Sequence, residues 1–109
     1  MNQEAIDLVK LIALYRQPGD RDAFDRHYRE VHTPLAEKMP GLQKLEVTRI
    51  VGDPMGGASE WYLMAELYFA DRQTLDAAMA SPEGKAAAKD LMGFAGKIVT
   101  MVVGEVKEG

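Results

Sequence analysis

Two histidines, His27 and His32, are the only imidazoles among the 109 residues, and they lie five residues apart in one segment. From Asp20 to about Met39 the segment has the periodicity of an amphipathic helix. Its apolar stripe consists of Phe24, Tyr28, Val31 and Leu35. Both histidines flank the stripe, where an imidazole can act as a general base towards an enol, a phenol or the α-carbon of a lactone. The same placement suits a histidine that only packs and hydrogen-bonds a carbonyl, and periodicity does not choose between His27 and His32.

The residue pattern argues against a metal site, a cysteine nucleophile and a phosphate-binding loop. A spacing of five places His27 and His32 on different sides of an α-helix, whereas helical zinc motifs use spacings such as four. Cysteine is absent, which excludes a thiolate nucleophile, an iron–sulfur cluster and a zinc–thiolate site. The glycine-rich segment 52–57 lacks the Gly-Lys-Ser/Thr ending of a phosphate loop, so it is a candidate lid or subunit contact. We predict no metal and no cofactor.

Aromatic side chains with a polar tip form the second group of candidates, because such residues often line small-molecule pockets. Tyr28 shares the inward helix face with His32, and Tyr15 ends the first predicted strand. Trp61 and Tyr62 follow the glycine-rich segment, where they can line the pocket or pack in a subunit interface. These four residues are the predicted substrate-binding residues. Charged residues at strand ends are expected to be solvated, although they could also orient a carboxylate or phenolate substrate: Arg16, Arg49 and Asp53.

Glycine, proline and periodicity together predict the elements that must position these candidates. Strands are predicted at residues 9–15, 42–51, 61–69 and 98–106. Helices are expected to be capped by Asp20 or Asp22, by Asp71 and by Ser81. Pro34 predicts either a kink in the first helix or a new helix capped by Thr33. With right-handed crossovers, the β-α-β-β-α-β order predicts an α+β ferredoxin-like plait with both helical regions on one face of a four-stranded antiparallel sheet.

The strands also predict a partner. Apolar residues occur at both parities of the first, third and fourth strands, although helices cover only one face of the sheet. An open apolar face of that size is unusual for a monomer. We therefore expect a homodimer in which the sheets of two copies pack face to face.

Charge and hydropathy narrow the remaining classes of partner. The formal net charge of −4 argues against a generic surface for nucleic acid or anionic membrane. An apolar run of about 18 residues, as a membrane span requires, is absent, and the N-terminus lacks a signal pattern. We expect one cytoplasmic domain over residues 1–109.

Three segments together resemble the EthD family over residues 8–106. They are Lys10-Leu11-Ile12-Ala13-Leu14-Tyr15, Phe24-x-x-x-Tyr28-x-x-x-His32-x-Pro34-Leu35, and Ala80-Ser81-Pro82-Glu83-Gly84 followed by an alanine-rich helix. The family lies in the dimeric α/β-barrel superfamily, so the resemblance implies a ferredoxin-like subunit and a barrel-forming homodimer. The His-x-Pro-Leu match implies that His32 is the catalytic histidine and leaves His27 a solvated surface role.

The resemblance implies a range of activities but no single reaction. EthD itself is associated with bacterial ether degradation, and related proteins include cofactor-free oxygenases, muconolactone-type isomerases, polyketide cyclases and haem-degrading enzymes. Haem is disfavoured here, because the axial histidine of those relatives comes from the second helical region and no histidine follows His32.

Two hypotheses for the function therefore stand. In the first, the protein is an enzyme that acts on a small apolar or aromatic metabolite by proton transfer at His32, without metal or flavin, as an isomerase, cyclase or oxygenase. In the second, it is a non-catalytic ligand-binding or accessory protein of a catabolic or biosynthetic operon. The sparse chemistry of the chain motivates the second hypothesis.

Overall fold

A computed structural model describes residues 8–107, which form four strands and a helical layer. The strands are β1 (Val9–Arg16), β2 (Lys44–Arg49), β3 (Trp61–Phe69) and β4 (Val99–Glu105). The helices are α1 (Arg21–His27), α2 (Thr33–Ala36), α3 (Arg72–Ala80) and α4 (Pro82–Ala95), and a π-helical segment, Tyr28–His32, joins α1 to α2. All strand pairs are antiparallel, in the order β2-β3-β1-β4. This is the predicted ferredoxin-like α+β architecture.

The three predicted helix starts are confirmed by their capping hydrogen bonds. The Asp20 carboxylate accepts from the Ala23 N–H at 3.0 Å, and the Asp71 carboxylate accepts from the Thr74 N–H at 2.8 Å. The Ser81 hydroxyl accepts from the N–H of Gly84 at 3.0 Å, with Pro82 in the first helical turn. Each cap satisfies a backbone donor that has no partner within its helix.

The core lies between the central strands and the helices. Alternate β1 residues face the helices and are buried, namely Val9, Leu11, Ala13 and Tyr15. Tyr15 pairs with Leu63 and Arg16 with Trp61, so Tyr62 is an extra residue in β3. A bulge of this kind bends the strand and re-aims a side chain, and here Tyr62 is buried against Phe24 of α1.

The first helical region departs from the predicted stripe at Val31, which is 41% exposed. The buried positions instead follow a spacing of four: Phe24, Tyr28, His32 and Ala36. The backbone explains the difference, because the Thr33 N–H donates to the Tyr28 carbonyl, five residues back. This wider turn brings His32 inward.

Thr33 does not cap a new helix at Pro34, and the irregularity in the first helical region is a π-helical segment that precedes the proline. Thr33 has helical dihedrals, with φ −57° and ψ −47°, and the chain stays helical through the proline. In an α-helix, the proline ring would clash with the carbonyl of the residue four positions earlier, here Glu30. The π-helical turn just before Pro34 changes that spacing locally, so the proline is accommodated.

The open face of the sheet is less apolar than the strand pattern predicts. Ile12, Leu14 and Met64 form a partly exposed apolar patch, and Val102 of the edge strand is 48% exposed. Beside this patch, the Lys10 ammonium donates to the Glu66 carboxylate at 2.6 Å. The two opposite charges lie on neighbouring strands and compensate each other.

Gly84 is expected to be the glycine whose replacement costs the most stability. A Cβ there would lie 2.0 Å from the carbonyl oxygen of Ala78, where α4 starts against the end of α3. Gly84→Ala should therefore lower the free energy of unfolding by about 1–3 kcal/mol, as overpacking does. Urea denaturation measures this change.

Gly93 provides the matched control, because a Cβ at this position of α4 would meet no heavy atom within 4 Å. Gly93→Ala should raise the free energy of unfolding by about 0.5–1 kcal/mol through helix propensity. Equal effects of the two variants would contradict the close approach of α3 and α4.

Candidate active site

Asp90 of α4 holds both histidines of the first helical region. Its Oδ2 lies 3.0 Å from Nδ1 of His32, and its Oδ1 lies 2.8 Å from Nε2 of His27. The Phe94 ring packs on both imidazoles, with centroid distances of 4.4 Å to His27 and 5.2 Å to His32. One carboxylate and one aromatic ring therefore fix the two imidazoles in place.

This arrangement corrects two expectations about His27. It is not a solvated surface residue, because its ring packs on Phe94 and hydrogen-bonds Asp90. The spacing of five also does not separate His27 from His32. Five residues make about 1.4 turns of an α-helix, but a π-helical turn closes five residues later. The π-helical segment thus brings both imidazoles to the same carboxylate.

Burial sets the protonation state of His32, whose side chain is 10% exposed. Loss of hydration lowers the pKa of His32 below its usual 6.5, against the opposing effects of the hydrogen bond and the charge of Asp90. The imidazole is therefore neutral at pH 7. Because the Asp90 carboxylate accepts a hydrogen bond, it favours the tautomer with hydrogen on Nδ1 and a free lone pair on Nε2.

His32 lines a cavity of about 60 Å³ between the helices and the sheet, which we call the inner cavity. Most of its wall consists of small or aliphatic residues, including Leu11, Ala13, Ala65, Ala87 and Leu91. Three methionines complete the wall: Met39, Met79 and Met101. Methionine side chains adapt their shape readily, so the volume can grow around a ligand. At its present size the cavity suits a molecule of a few heavy atoms, since pockets for drug-sized ligands span roughly 300–1,000 Å³.

Two of the four predicted substrate-binding residues line the inner cavity together with His32. Tyr15 is 1% exposed and Tyr28 is 8% exposed. Their rings pack edge to face at 5.7 Å, and the Tyr28 ring lies 5.6 Å from the His32 ring. Burial raises the pKa of Tyr28 to about 12 and that of Tyr15 above its usual range. Both phenols therefore keep their protons at neutral pH and act as hydrogen-bond donors.

The other two predicted residues lie outside the inner cavity. The Tyr62 hydroxyl donates to the Asp25 carboxylate at 2.9 Å, in a cluster that includes the Arg49 guanidinium 3.2 Å from Asp25. Trp61 lies under the Arg16 guanidinium at 4.9 Å. These residues secure β3 against α1 and β1, and they do not meet the His32 ring.

A second depression, the outer groove, lies on the other side of Phe94. It has a volume of about 530 Å³ and is lined by His27, Phe24, Gly19 and the end of α4. The His27 side chain is 34% exposed, against 10% for His32. Asp90 therefore joins one partly exposed imidazole, that of His27, to one buried imidazole, that of His32.

Asp90 is the functional candidate that sequence reasoning missed. A signal did exist, because Asp90 lies three residues after the buried Ala87 and directly before the buried Leu91, and so flanks the buried face of α4. Its partners lie 58 and 63 residues away, beyond the reach of local periodicity. Within residues 8–107, no group of three or more His, Asp or Glu side chains is arranged to hold a metal ion.

The family follows from a comparison over most of the chain. The model of the EthD domain matches residues 16–98. The chain belongs to the EthD family. An EthD family protein from Bacillus halodurans is 55% identical, and the match covers 92% of this chain and 99% of that chain, with a TM-score of 0.89. An uncharacterised 11.0 kDa protein encoded between thcB and thcC in Rhodococcus erythropolis is 34% identical, over 87% of this chain and 91% of the relative.

More distant structures share the fold of this EthD-family chain. Hydroxynitrile lyase from Passiflora edulis is 14% identical, with coverage of 95% and 97% and a TM-score of 0.76. SnoaB, a cofactor-independent oxygenase from Streptomyces nogalater, is 14% identical, with coverage of 94% and 96% and a TM-score of 0.68. A dimeric ferredoxin-like protein of unknown function from Bacteroides fragilis is 20% identical, with coverage of 90% and 95% and a TM-score of 0.64. In residues 8–107 of the present chain, no helix is long and apolar enough to cross a membrane.

Proposed function

We propose that this EthD-family protein is an enzyme that performs proton-transfer chemistry on a small apolar molecule held in the inner cavity. His32 is the general base and Asp90 is its positioning residue. The observation that carries the proposal is the 3.0 Å contact between His32 Nδ1 and Asp90 Oδ2, since it leaves Nε2 as the free nitrogen of a cavity-lining ring. In the described residues, Nε2 has no protein hydrogen-bond partner, so it is available to a ligand.

The geometry supports a simple proton cycle. Nε2 of neutral His32 takes a proton from the bound molecule, and the resulting imidazolium is stabilised by Asp90 through the Nδ1–H. The same Nε2–H then returns the proton to the product. The apolar wall keeps the effective dielectric low, which strengthens the interaction between Asp90 and the imidazolium. Enzymes with lyase and oxygenase activities occur among proteins of this fold, which supports an enzyme without naming its reaction.

The test uses the fact that the chain has only two histidines. Their Cε1–H signals in proton NMR spectra can be assigned from His27→Gln and His32→Gln variants. Titration with small neutral compounds (butanone, cyclopentanone and phenol) should shift the His32 signal more than the His27 signal. At least one compound that binds should also exchange a carbon-bound proton with the solvent, or be converted to a product, in the presence of the enzyme.

The contradicting outcomes are equally specific. Ala65 lines the inner cavity from β3, so the larger side chain of Ala65→Leu should fill the cavity and abolish the His32 shift. If binding survives this variant, the ligand lies elsewhere, for example in the outer groove beside His27, and the proposal fails. Tight binding to wild type without any turnover favours the alternative function, a non-catalytic ligand-binding or accessory protein.

We further propose that the protein is a homodimer through the open sheet face. The partly exposed Ile12, Leu14 and Met64 lie there beside the self-compensated Lys10–Glu66 pair, a surface suited to burial against a second copy. Dimeric proteins occur among its structural relatives. Sedimentation equilibrium should give twice 12.0 kDa.

A charged residue on the open face tests where the subunits meet. Val102→Glu places a carboxylate on that face and should shift the mass to 12.0 kDa. Val51→Glu is the matched control, because Val51 is 92% exposed in the loop after β2. A wild-type monomer, or a dimer that tolerates Val102→Glu, would contradict this interface.

A further inference from the structure

The phenol hydroxyls of Tyr15 and Tyr28 are unusual because both residues are more than nine-tenths buried and neither hydroxyl has a hydrogen-bond partner in residues 8–107. In the same residues, every side-chain nitrogen or oxygen atom that is fully shielded from solvent has a hydrogen-bond partner. The two hydroxyls therefore retain contact with open space, and the space that both residues line is the inner cavity.

Buried hydroxyls without partners are unfavourable, so a site that keeps two of them is suited to a ligand that accepts hydrogen bonds. The Tyr28 ring contacts the rings of both Tyr15 and His32, so these three residues together line one end of the cavity. That end offers two O–H donors and one acceptor, Nε2 of His32. The rest of the wall is aliphatic, and in the described residues it includes no Lys, Arg, Asp or Glu.

We infer that the inner cavity takes an uncharged carbonyl compound with hydrogen on the adjacent carbon, whose oxygen accepts hydrogen bonds from Tyr15 and Tyr28 while His32 removes the α-proton. This inference rests on the proposed role of His32 as a base. It assigns to the two tyrosines the stabilisation of the enolate that forms. A carboxylate substrate is disfavoured, because no cationic side chain among the described residues of the wall would compensate its charge.

The step balances without an oxidant or a reductant. The α-C–H bond breaks and its proton moves to Nε2 of His32. The electron pair forms the carbon–carbon double bond of the enolate, and the carbonyl oxygen takes the negative charge between the two O–H donors. Return of the proton to the same carbon gives exchange, and return to a conjugated carbon gives isomerisation. The raised pKa values of both phenols agree with this role, because the hydroxyls stay protonated and donate.

Deuterium exchange into butanone in D₂O, followed by proton NMR, tests the assignment on the intact protein. Tyr15→Phe and Tyr28→Phe keep the rings that pack on Phe24 and Phe94 and remove only the hydroxyls. Each variant should slow exchange on the order of 10- to 100-fold, in line with the loss of one oxyanion donor. The pH at which the exchange rate falls because His32 becomes protonated should stay within a few tenths of a pH unit of the wild-type value.

Tyr62→Phe is the matched control, since its hydroxyl donates to Asp25 outside the cavity, and it should leave the rate unchanged. If exchange is lost in His32→Gln but unchanged in both Tyr15→Phe and Tyr28→Phe, the role of the tyrosines in binding a carbonyl oxygen is wrong, while the role of His32 as the base still stands. Equal exchange by wild type and His32→Gln would instead contradict the base. If wild type exchanges no butanone or cyclopentanone while the NMR titration detects another ligand, only the carbonyl assignment fails. If Tyr15→Phe does not fold, Tyr28→Phe alone decides.

Discussion

Replacing His32 by glutamine is expected to slow proton transfer in the inner cavity on the order of 10²- to 10⁴-fold, the usual contribution of a general base. Glutamine fills similar space and its amide can still donate to Asp90, so the fold should persist. It has no basic lone pair to replace Nε2, and the proton of the bound molecule then has no acceptor. The measurement is deuterium exchange into butanone or into any other compound that the NMR titration identifies.

His27→Gln is the matched control for this prediction. His27 contacts the same Asp90 carboxylate but lines the outer groove, so its loss should slow exchange by no more than about 10-fold through looser positioning of Asp90. A larger effect of His27→Gln than of His32→Gln would place the chemistry in the outer groove. Circular dichroism of both variants should match that of wild type.

Asp90→Asn is expected to have an effect of similar size, on the order of 10²- to 10⁴-fold, because it removes both the orientation and the charge that support His32. In wild type, each carboxylate oxygen of Asp90 accepts a hydrogen bond from one of the two imidazoles. The asparagine amide has only one oxygen acceptor, and its other group, the NH₂, is a donor. When the NH₂ group faces His32, the ring must carry its hydrogen on Nε2, and the base points away from the substrate.

The pH dependence distinguishes this mechanism from a loss of folding. In wild type, burial lowers the pKa of His32 while Asp90 raises it, with burial dominant. Removing Asp90 leaves burial unopposed, so the pKa of His32 should fall further. Activity requires the neutral ring and is lost as the pH falls through that pKa. The acid limb of the rate profile and the Cε1–H titration should therefore both move to lower pH in Asp90→Asn, together with the lower plateau.

Asp25→Asn is the control of matched chemistry, because Asp25 also accepts two partners, Tyr62 and Arg49, but lies outside the inner cavity. It should leave the exchange rate and the His32 titration unchanged. An Asp90→Asn variant with wild-type rate and an unshifted titration would show that Asp90 does not position His32.

Local sequence signals were sufficient for the elements of the fold. Asp71 and Ser81 each cap a helix through a hydrogen bond to a residue three positions later, which a short window of sequence contains. The third predicted strand, residues 61–69, has the bounds found for β3. The motif around His32 also selected the buried imidazole of the pair, together with Tyr28 one turn earlier.

The sequence was not sufficient for the bulge in β3 or for the π-helical turn. Tyr62 turns towards α1 because β3 has one residue more than its partner strand, a feature of pairing and not of one strand. Val31, which was expected to be buried, is exposed, and its neighbour His32 is buried instead, because the hydrogen bond of this turn spans five residues. Such turns depend on which side chains the rest of the core accepts, so periodicity at 3.6 residues misplaces them.

The sequence by itself thus determined the plait and the caps, because alternation, turn residues and caps act over a few neighbouring residues. Tyr15 and Tyr28 became candidates through their residue type and position, whereas the choice of His32 over His27 came from the resemblance to the EthD motif and not from periodicity. Only the tertiary structure decided that Asp90 joins the two histidines, since α4 must first pack on a helix about 60 residues earlier in the chain. It also decided that Trp61 and Tyr62 lie outside the cavity, and that Lys10 and Glu66 form an ion pair on the open face of the sheet. These outcomes depend on the packing of distant elements, which no short window of residues specifies.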